Sequence, residues 1–208
     1  MRKLLNSLHT NLVFGRRVRT LVNSLGAMIP PSTHVLDVGC GDGQISARIA
    51  RSCQNVSVTG LDVLLRPAPH IPVIQFDGTT IPFADNSFDV VMFVDVLHHT
   101  DDPAVLLAEA VRVTRRYVLL KDHFRTGFLA YATLRLMDWC GNVHHGVALP
   151  YNYLSESEWS RLYCQTGLTP VKTIRKLGLY PLPFNWLFGR SLHFVALLKK
   201  QDRIGVQQ

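Results

Sequence analysis

Three glycines at every second position stand out in the stretch "HVLDVGCGDGQISARIA", which begins at His34. They are Gly39, Gly41 and Gly43, and they directly follow a short apolar run. Glycine lets the main chain approach a ligand closely, and the first turn of a following helix offers free N–H groups. A buried strand, a glycine loop and then an amphipathic helix are therefore typical of a site that binds an anion or a nucleotide.

The spacing within this loop argues against a dinucleotide. The G-x-G-x-x-G fingerprint would need glycine at position 44, where the chain has Gln44. Asp42 inside the loop would also repel a pyrophosphate. We therefore expect a nucleoside-like ligand without phosphates, and a nicotinamide oxidoreductase is the function that this loop fits least.

Two more acids follow later apolar runs. Asp62 ends "TGLD", where a carboxylate can accept hydrogen bonds from both hydroxyls of a ribose. Asp77, followed by Gly78, comes after the third apolar run and can accept from an exocyclic amine. Together with the acid in the glycine loop, they suit a ligand that carries a ribose and a positive charge.

These acids must be positioned by strands, and the apolar pattern predicts where the strands lie. Short apolar runs alternate with helix-like runs up to residue 123, which indicates an α/β fold with a largely parallel sheet. Only "LLRPAPH" separates the second and third strands, and its two prolines leave no room for the usual crossover helix. We predict helices over 11–29, 43–52, 101–113 and from Ser155 onward, and strands within 33–39, 55–63, 71–78, 87–97, 115–123, 169–178 and 191–200.

Four blocks in this order resemble one family. "VLDVGCGDG", "GLDV", "FDGTTIPFADNSFDVV" and "VDVLHHTDDP" are similar to class I S-adenosylmethionine-dependent methyltransferases, in the branch of small enzymes with an "LPF…SFD…LHH" signature. The resemblance is strong over residues 33–123. It implies a doubly wound, mostly parallel seven-stranded sheet of the Rossmann-like class I type, with an N-terminal helix and a helical cap after strand 5.

The resemblance also implies S-adenosyl-L-methionine as cofactor and a role for each matching residue. The glycine loop would hold the methionine part, Asp62 the ribose, and the residues after the third strand the adenine edge. Residues after the fourth strand would border the sulfonium and the acceptor. The implied cofactor-binding residues are Asp37, Gly39, Cys40, Gly41, Gly43, Asp62, Val63, Asp77, Gly78, Asp95, Val96 and His98.

Several methyl acceptors are disfavoured by what the chain lacks. No Asn-Pro-Pro-Tyr block follows the fourth strand, which reads "VDVL", and this argues against exocyclic amines of nucleic-acid bases. No cysteine follows a proline, so the covalent route to cytosine C5 is disfavoured too. We therefore expect a small and fairly apolar acceptor, methylated at O, C or N.

Residues 124–154 form the predicted acceptor cap, because additions after the fifth strand lie at the carboxyl edge of such a sheet. The segment mixes an apolar helix with polar groups, which suits a pocket that is largely apolar. His123, at the end of the fifth strand, and His145, within the cap, are the candidate catalytic residues. Either one can act as a general base or hold the acceptor by a hydrogen bond. The histidine spacing supports no metal site.

Length and composition indicate a single domain over 1–208, and the resemblance implies that it is a methyltransferase domain. Its predicted parts are an N-terminal helical segment (1–32), the cofactor-binding core (33–123), the cap (124–154), the final helix and strands (155–200) and a tail (201–208). Four cysteines without a C-x-x-C pair predict reduced thiols and a cytoplasmic location.

The chain carries a net charge of +7, partly from its basic N-terminus, and this leaves peripheral membrane contact open. No apolar run is long enough to span a bilayer. Two alternatives also stay open: a methyltransferase that acts on RNA or protein, and a methyltransferase fold that binds a partner without catalysis. The sequence does not predict an oligomeric state.

Overall fold

The computed structural model describes residues 14–142, 150–182, 184–189 and 191–201. Helices and strands alternate along the first half of the chain, as the apolar pattern predicts. In chain order the elements are α1 (Gly15–Gly26), β1 (His34–Val38), α2 (Gln44–Ser52), β2 (Ser57–Asp62), β3 (Val73–Gln75), β4 (Phe88–Val94), a 3₁₀ turn (Leu97–His99), α3 (Pro103–Val113), β5 (Thr114–His123), α4 (Ala130–Asn142), α5 (Glu156–Gln165), β6 (Leu168–Ile174), α6 (Phe184–Phe188) and β7 (His193–Lys200).

The strands form one seven-stranded sheet in the order β3-β2-β1-β4-β5-β7-β6. Strands β1 to β5 are parallel to their neighbours, and β7 runs antiparallel between β5 and β6. The strand order reverses between β1 and β4, where open α/β sheets bind ligands beyond the carboxyl ends of the strands. The predicted fold class is confirmed.

Each face of the sheet is covered by helices because alternate strand residues point to opposite sides. On one face, Val35 and Met92 pack with Leu21 and Leu25 of α1. On the other face, Leu36 and Phe93 belong to a second cluster, which includes residues of α3 and α5. Both clusters are buried, so the strands are apolar on both sides, as central parallel strands are.

The predicted starts of α3 and α5 are confirmed by their caps. Oδ1 of Asp102 accepts a hydrogen bond from the Ala104 backbone amide at 2.9 Å, with Pro103 in the first turn of α3. Ser155 and Glu158 exchange hydrogen bonds between side chain and backbone at the start of α5, which is a capping box. The short helix α6 was not predicted, because five residues between prolines and a glycine give no readable period.

The link between β2 and β3 contains no helix, as its prolines predict. It crosses the glycine loop instead: the His70 amide donates to the Asp42 carbonyl over 2.8 Å. Ile71 packs against Gly43, and a Cβ built on Gly43 would lie 2.4 Å from Cγ1 of Ile71. Within the described residues, no helix is both long and apolar enough to cross a membrane.

Candidate functional site

A cavity of about 810 Å³ opens at the carboxyl ends of β1, β2 and β4. Its volume falls in the range of sites for small molecules and cofactors. The lining combines main chain of the glycine loop, a few acids and apolar side chains. The lining residues are Gly39, Gly41, Asp62, Val63, Leu64, Arg66, Phe76, Gly78, Thr79, Asp95, Val96, His99, Thr100, Asp101, Asp102, Val105 and Leu106.

The glycine loop presents bare main chain to this cavity at Gly41. Its φ of +61° lies in the left-handed region, and a Cβ built there would meet no atom within 4 Å. Open space beside a left-handed glycine leaves room for a ligand against the backbone. Gly43 differs, because it packs under Ile71 and does not line the cavity.

Asp62 holds this loop in place as well as facing the cavity. Its Oδ2 accepts the Gly41 amide at 2.7 Å, and its Oδ1 accepts the Leu64 amide at 2.9 Å. A carboxylate retains further lone pairs when each oxygen accepts one hydrogen bond, so Asp62 can still accept from a diol. Val63 follows it along the wall of the cavity.

Three of the predicted cofactor residues lie behind or beside the cavity wall. Asp37 is buried, and its Oδ2 accepts from the Ser46 hydroxyl at 2.5 Å; burial raises the pKa of Asp37 to about 7. Burial also raises the pKa of the Cys40 thiol, which stays protonated. Oδ1 of Asp77 accepts the amides of Thr79 and Thr80, both at 2.7 Å, which lowers its pKa and orders the turn that brings Gly78 to the cavity.

The residue after β4, Asp95, is held in an uncommon backbone conformation, with a φ of +59°. Left-handed geometry at a residue other than glycine is found in turns and at functional sites. The Asp95 carboxylate forms ion pairs with Lys121 of β5 and Arg17 of α1. Burial by itself would raise the pKa of Asp95, but these two cations hold it well below its usual value.

His98 lies in a buried charge network behind the cavity. Its Nδ1 is 2.7 Å from Oδ1 of Asp122, and its Nε2 is 3.2 Å from Oδ2 of Asp138, which also pairs with the Tyr153 hydroxyl. Burial alone would lower the pKa of His98, but the two carboxylates outweigh it and raise the pKa to about 10. His98 is thus a buried imidazolium, and it does not line the cavity.

The neighbouring His99 does line the cavity. Burial, with the charged His98 beside it, lowers the pKa of His99 to about 4, so its ring is neutral near pH 7. From the sequence, His99 is only a member of a set of histidines whose spacing does not support a metal site. In the 3₁₀ turn over Leu97–His99 the centroids of the two histidine rings lie 4.0 Å apart, yet only His99 lines the cavity, which a strand-to-helix pattern does not reveal.

Of the two predicted catalytic histidines, only His123 lies within the described residues. His123 is buried, with Nδ1 at 3.3 Å from Asp122 and Nε2 at 3.7 Å from Asp95, and it is not part of the cavity lining. Burial, together with Lys121, lowers its pKa. His145 lies outside the described residues, so its role stays a prediction, as does that of His123.

The described residues of the predicted acceptor cap contribute to the site only indirectly. None of its described residues lines the cavity, although Asp138 and Tyr153 support His98. The apolar walls come instead from the β2–β3 link and from α3, with Leu64, Val105 and Leu106. Sequence reasoning missed these residues because their helical or loop pattern gives no sign of which side faces a ligand.

Residues 36–120 match the protein family described as "Methyltransferase domain". The core of this chain is a class I S-adenosylmethionine-dependent methyltransferase domain. The match covers the glycine loop, Asp62 and the segment up to Leu120 in β5, so the family prediction is confirmed. The assignment of cofactor contacts to single residues remains a prediction.

Curated relatives of this methyltransferase domain act on different substrates. Demethylmenaquinone methyltransferase of Renibacterium salmoninarum is 34% identical over 155 residues, which is 67% of this chain and 63% of that protein. 2-Methyl-6-phytyl-1,4-hydroquinone methyltransferase of Synechocystis is 36% identical over 97 residues, or 42% of this chain and 30% of that protein. The chain spans less than two thirds of the length of these relatives.

Solved structures share the fold of this domain. The Burkholderia thailandensis 1,6-didemethyltoxoflavin-N1-methyltransferase superposes with a TM-score of 0.64 and 20% identity, over 96% of this chain and 88% of that one. An S-adenosylmethionine-dependent methyltransferase of Mesorhizobium loti gives 0.63 and 15% identity, over 86% and 96%. At these identities the likeness concerns the fold alone.

Proposed function

We propose that this protein transfers a methyl group from S-adenosylmethionine to a small lipophilic acceptor that carries a ring hydroxyl, in the class of the hydroquinones. The observation that supports it most directly is the cavity in which Gly41 and Asp62 face the same space. When bound there, S-adenosylmethionine would supply a methyl group already activated on a sulfonium.

The side chains around the cavity fit this cofactor. Asp62 would accept hydrogen bonds from the ribose hydroxyls, and the bare main chain at Gly41 would face the methionine part. Val63 and Phe76 offer apolar surface to an adenine ring, with Gly78 beside them. Arg66 also lines the cavity, and its half-buried guanidinium is compatible with the carboxylate of the methionine part.

The proposed acceptor rests on the apolar lining and on two relatives. Leu64, Val105 and Leu106 extend the apolar wall of the cavity. The relatives named above include a demethylmenaquinone methyltransferase and a phytyl hydroquinone methyltransferase, both with 34–36% identity over the matched segments. An apolar wall suits acceptors of that chemistry better than it suits RNA or a protein side chain.

The chain's own groups would position the acceptor and accept a hydrogen bond from its hydroxyl. His99 is neutral near pH 7 and lines the cavity, so it can accept a hydrogen bond from the ring hydroxyl. Loss of that proton makes both the oxygen and the adjacent ring carbon better nucleophiles. The rest of the acceleration would come from holding nucleophile and methyl group in line.

The test is methyl transfer by the purified full chain to a panel of acceptors. Short-chain hydroquinones, catechols, a catechol diether without hydroxyls, and bulk RNA would be offered with labelled S-adenosylmethionine. We expect label in the hydroquinones and none in the diether or RNA. Binding of S-adenosylhomocysteine without transfer to any acceptor would instead favour a binding module, and label in RNA would overturn the acceptor class.

A further inference from the structure

A group of large apolar side chains lies exposed on two segments, one after the end of β5 and one before the start of β7. On and before α4, Phe128 is 86% exposed and Trp139 54% exposed. Around α6, Leu182 is 82% exposed and Trp186 79% exposed. We call these four residues, with Leu129 and Leu136, the apolar surface; both added residues are also more than half exposed.

The two segments are neighbours in the fold. His123, the last residue of β5, pairs with His193, the first residue of β7, and the Phe124 amide donates to the Leu192 carbonyl over 2.9 Å. Leu192 is buried with Leu134 and Ala130 on the inner side of α4. The inner side of α4 thus packs on the chain that leads from α6 into β7, while its outer side carries the apolar surface.

Exposed aromatic and aliphatic side chains at this density mark a contact surface rather than ordinary surface scatter. Tryptophan in particular favours the boundary between water and lipid, because it has an apolar body and one polar N–H group. The choice between a lipid surface and a protein partner therefore depends on the charges around the apolar surface.

In sequence, the segments that carry the apolar surface and the N-terminal segment are basic. Residues 1–30, 124–150 and 175–192 contain one acid in sequence, Asp138, and that residue is buried against His98. The same ranges hold ten of the 22 Lys and Arg residues and one of the 15 Asp and Glu residues of the chain. These basic residues are Arg2, Lys3, Arg16, Arg17, Arg19, Arg125, Arg135, Arg175, Lys176 and Arg190.

Within the described residues, three of these cations already have carboxylate partners, and the first is Arg17, which binds Asp95. Arg125 and Arg175 bind Glu158 and Glu156 at the start of α5. Arg135 is different, because it is exposed on the outer face of α4 and stacks over the ring of Tyr151 at 4.5 Å. Near Trp186, a hollow of about 380 Å³ is lined by Lys176, together with Asn185 and Ser191.

We infer that the apolar surface docks on a membrane that contains anionic phospholipids. Trp186 and Phe128 would enter the headgroup region, Arg135 would meet lipid phosphate, and the hollow at Lys176 would take one headgroup. Basic residues near such a surface are attracted to its negative potential. Docking would bring the domain to lipophilic hydroquinones dissolved in the bilayer; this last step rests on the proposed function, whereas the docking itself does not.

Sedimentation of the full chain with lipid vesicles tests the docking. We expect binding to vesicles of phosphatidylcholine mixed with phosphatidylglycerol, much weaker binding to phosphatidylcholine alone, and loss of binding as salt is added. The double variant Phe128→Ser/Trp186→Ser should bind at least about tenfold more weakly, since two large side chains no longer enter the interface.

Matched controls separate this surface from general stickiness. Ile74→Ser/Val171→Ser removes two exposed apolar side chains from β3 and β6, 42% and 57% exposed, and should bind like the wild type. For charge, Arg135→Glu/Lys176→Glu should weaken binding to the anionic vesicles, whereas Arg48→Glu/Arg51→Glu on α2 should weaken it much less. Equal loss in a variant and its control would overturn the assignment of the surface.

Two other outcomes would also overturn it. The first is that the wild type does not bind anionic vesicles. The second is that the wild type forms a dimer in sedimentation equilibrium and Phe128→Ser/Trp186→Ser is a monomer, which would make a second copy of the chain the occupant of the apolar surface. The docking can be tested separately from the proposed function. Affinity for S-adenosylhomocysteine and turnover of a water-soluble hydroquinone should be unchanged in Phe128→Ser/Trp186→Ser. If the wild type methylates no hydroquinone but binds the vesicles, the docking stands and the proposed acceptor does not.

Discussion

The backbone amide of Gly41 donates a hydrogen bond to Oδ2 of Asp62 across 2.7 Å, which joins the glycine loop to the end of β2. The other carboxylate oxygen accepts the Leu64 amide, so one side chain fixes the backbone on two sides of the cavity. Asp62 therefore has two roles that a substitution would remove together: it orders the loop, and it offers its remaining lone pairs to a ligand.

We expect Asp62→Ala to weaken the binding of S-adenosylhomocysteine by more than about tenfold, since a hydrogen bond to a charged group contributes about 1.5–3 kcal/mol. Isothermal titration calorimetry measures this directly. Asp42→Ala is the matched control, because Asp42 is exposed in the same loop and does not line the cavity. An unchanged affinity in Asp62→Ala would remove the ribose assignment.

Two glycines of the same loop should respond differently to alanine. Both Gly41 and Gly43 have a positive φ, so either substitution costs about 1–2 kcal/mol of backbone strain. A Cβ at position 43 also collides with Ile71, and relieving such overpacking costs about 1–3 kcal/mol more.

Urea unfolding should therefore show Gly43→Ala to be the less stable of the two variants. Calorimetry with S-adenosylhomocysteine should show the larger loss of affinity in Gly41→Ala, because its Cβ projects into the cavity. The reverse order in either measurement would contradict the proposed position of the ligand against the main chain at Gly41.

The loop, its left-handed glycines and the parallel sheet could be predicted from the sequence, because each has a local signature. A glycine before a helix and an acid at a strand end stand at fixed offsets along the chain. The ion pairs of Asp95 with Lys121 and Arg17 have no such signature. They join residues 26 and 78 positions apart in sequence, and only the packing of α1 and β5 brings them together.

The same limit explains the choice of histidine. Along the chain, His98 and His99 are equivalent, and His123 is distinguished only by its place at the end of a strand. The structure separates them by their surroundings: two carboxylates bind His98, burial encloses His123, and the cavity meets His99. The residues that surround each ring in the fold decide which ring can reach an acceptor. The periodicity of apolar residues along the chain carries no information about those surroundings.

Replacing Lys121 should destabilise the fold more than replacing Arg17. Lys121→Met leaves Asp95 without the buried partner, and breaking such a pair costs about 3–5 kcal/mol. The Arg17 side chain is 29% exposed, so water screens its pairing, and Arg17→Met should cost about 1 kcal/mol or less.

The free energy of unfolding from urea titrations checks this order. The double variant Asp95→Asn/Lys121→Met removes both charges, so it should regain much of the stability lost in Lys121→Met. If the double variant is as unstable as the sum of the single variants, the two side chains do not stabilise each other and the ion pair is unimportant for the fold.

The imidazolium of His98 should make stability fall as the pH rises above neutrality. Its pKa is about 10 in the folded protein and about 6.5 for an ordinary histidine, so between these values the folded state retains a proton that the unfolded state has lost. The contribution is complete below pH 6.5 and disappears as the pH passes 10, with a slope of up to about 1.4 kcal/mol per pH unit.

Urea titrations between pH 7 and 9, where few other side chains titrate, should show this slope in the wild type. His98→Gln has no proton to retain, so its free energy of unfolding should be lower at pH 7 and change much less with pH. Equal slopes in the two proteins would mean that His98 is neutral in the fold and that Asp122 and Asp138 do not hold it charged.

The last prediction concerns which histidine meets the acceptor. His99→Gln should lower the rate of methyl transfer about a hundredfold, the lower end of what a positioned base contributes, while the affinity for S-adenosylhomocysteine stays unchanged. His123→Gln and His145→Gln test the two residues that the sequence favours, under the same assay.

Because the pKa of His99 is about 4, protonation of His99 should not limit turnover above about pH 5, and the wild-type rate should show no ascending limb near pH 6.5 that depends on this residue. A hydroquinone fluorinated on the ring, whose hydroxyl is more acidic, should lose less rate in His99→Gln than the parent compound does. Wild-type turnover in His99→Gln, with a large loss in His123→Gln or His145→Gln, would move the proton-accepting role away from the cavity residue and back to the sequence-based candidates.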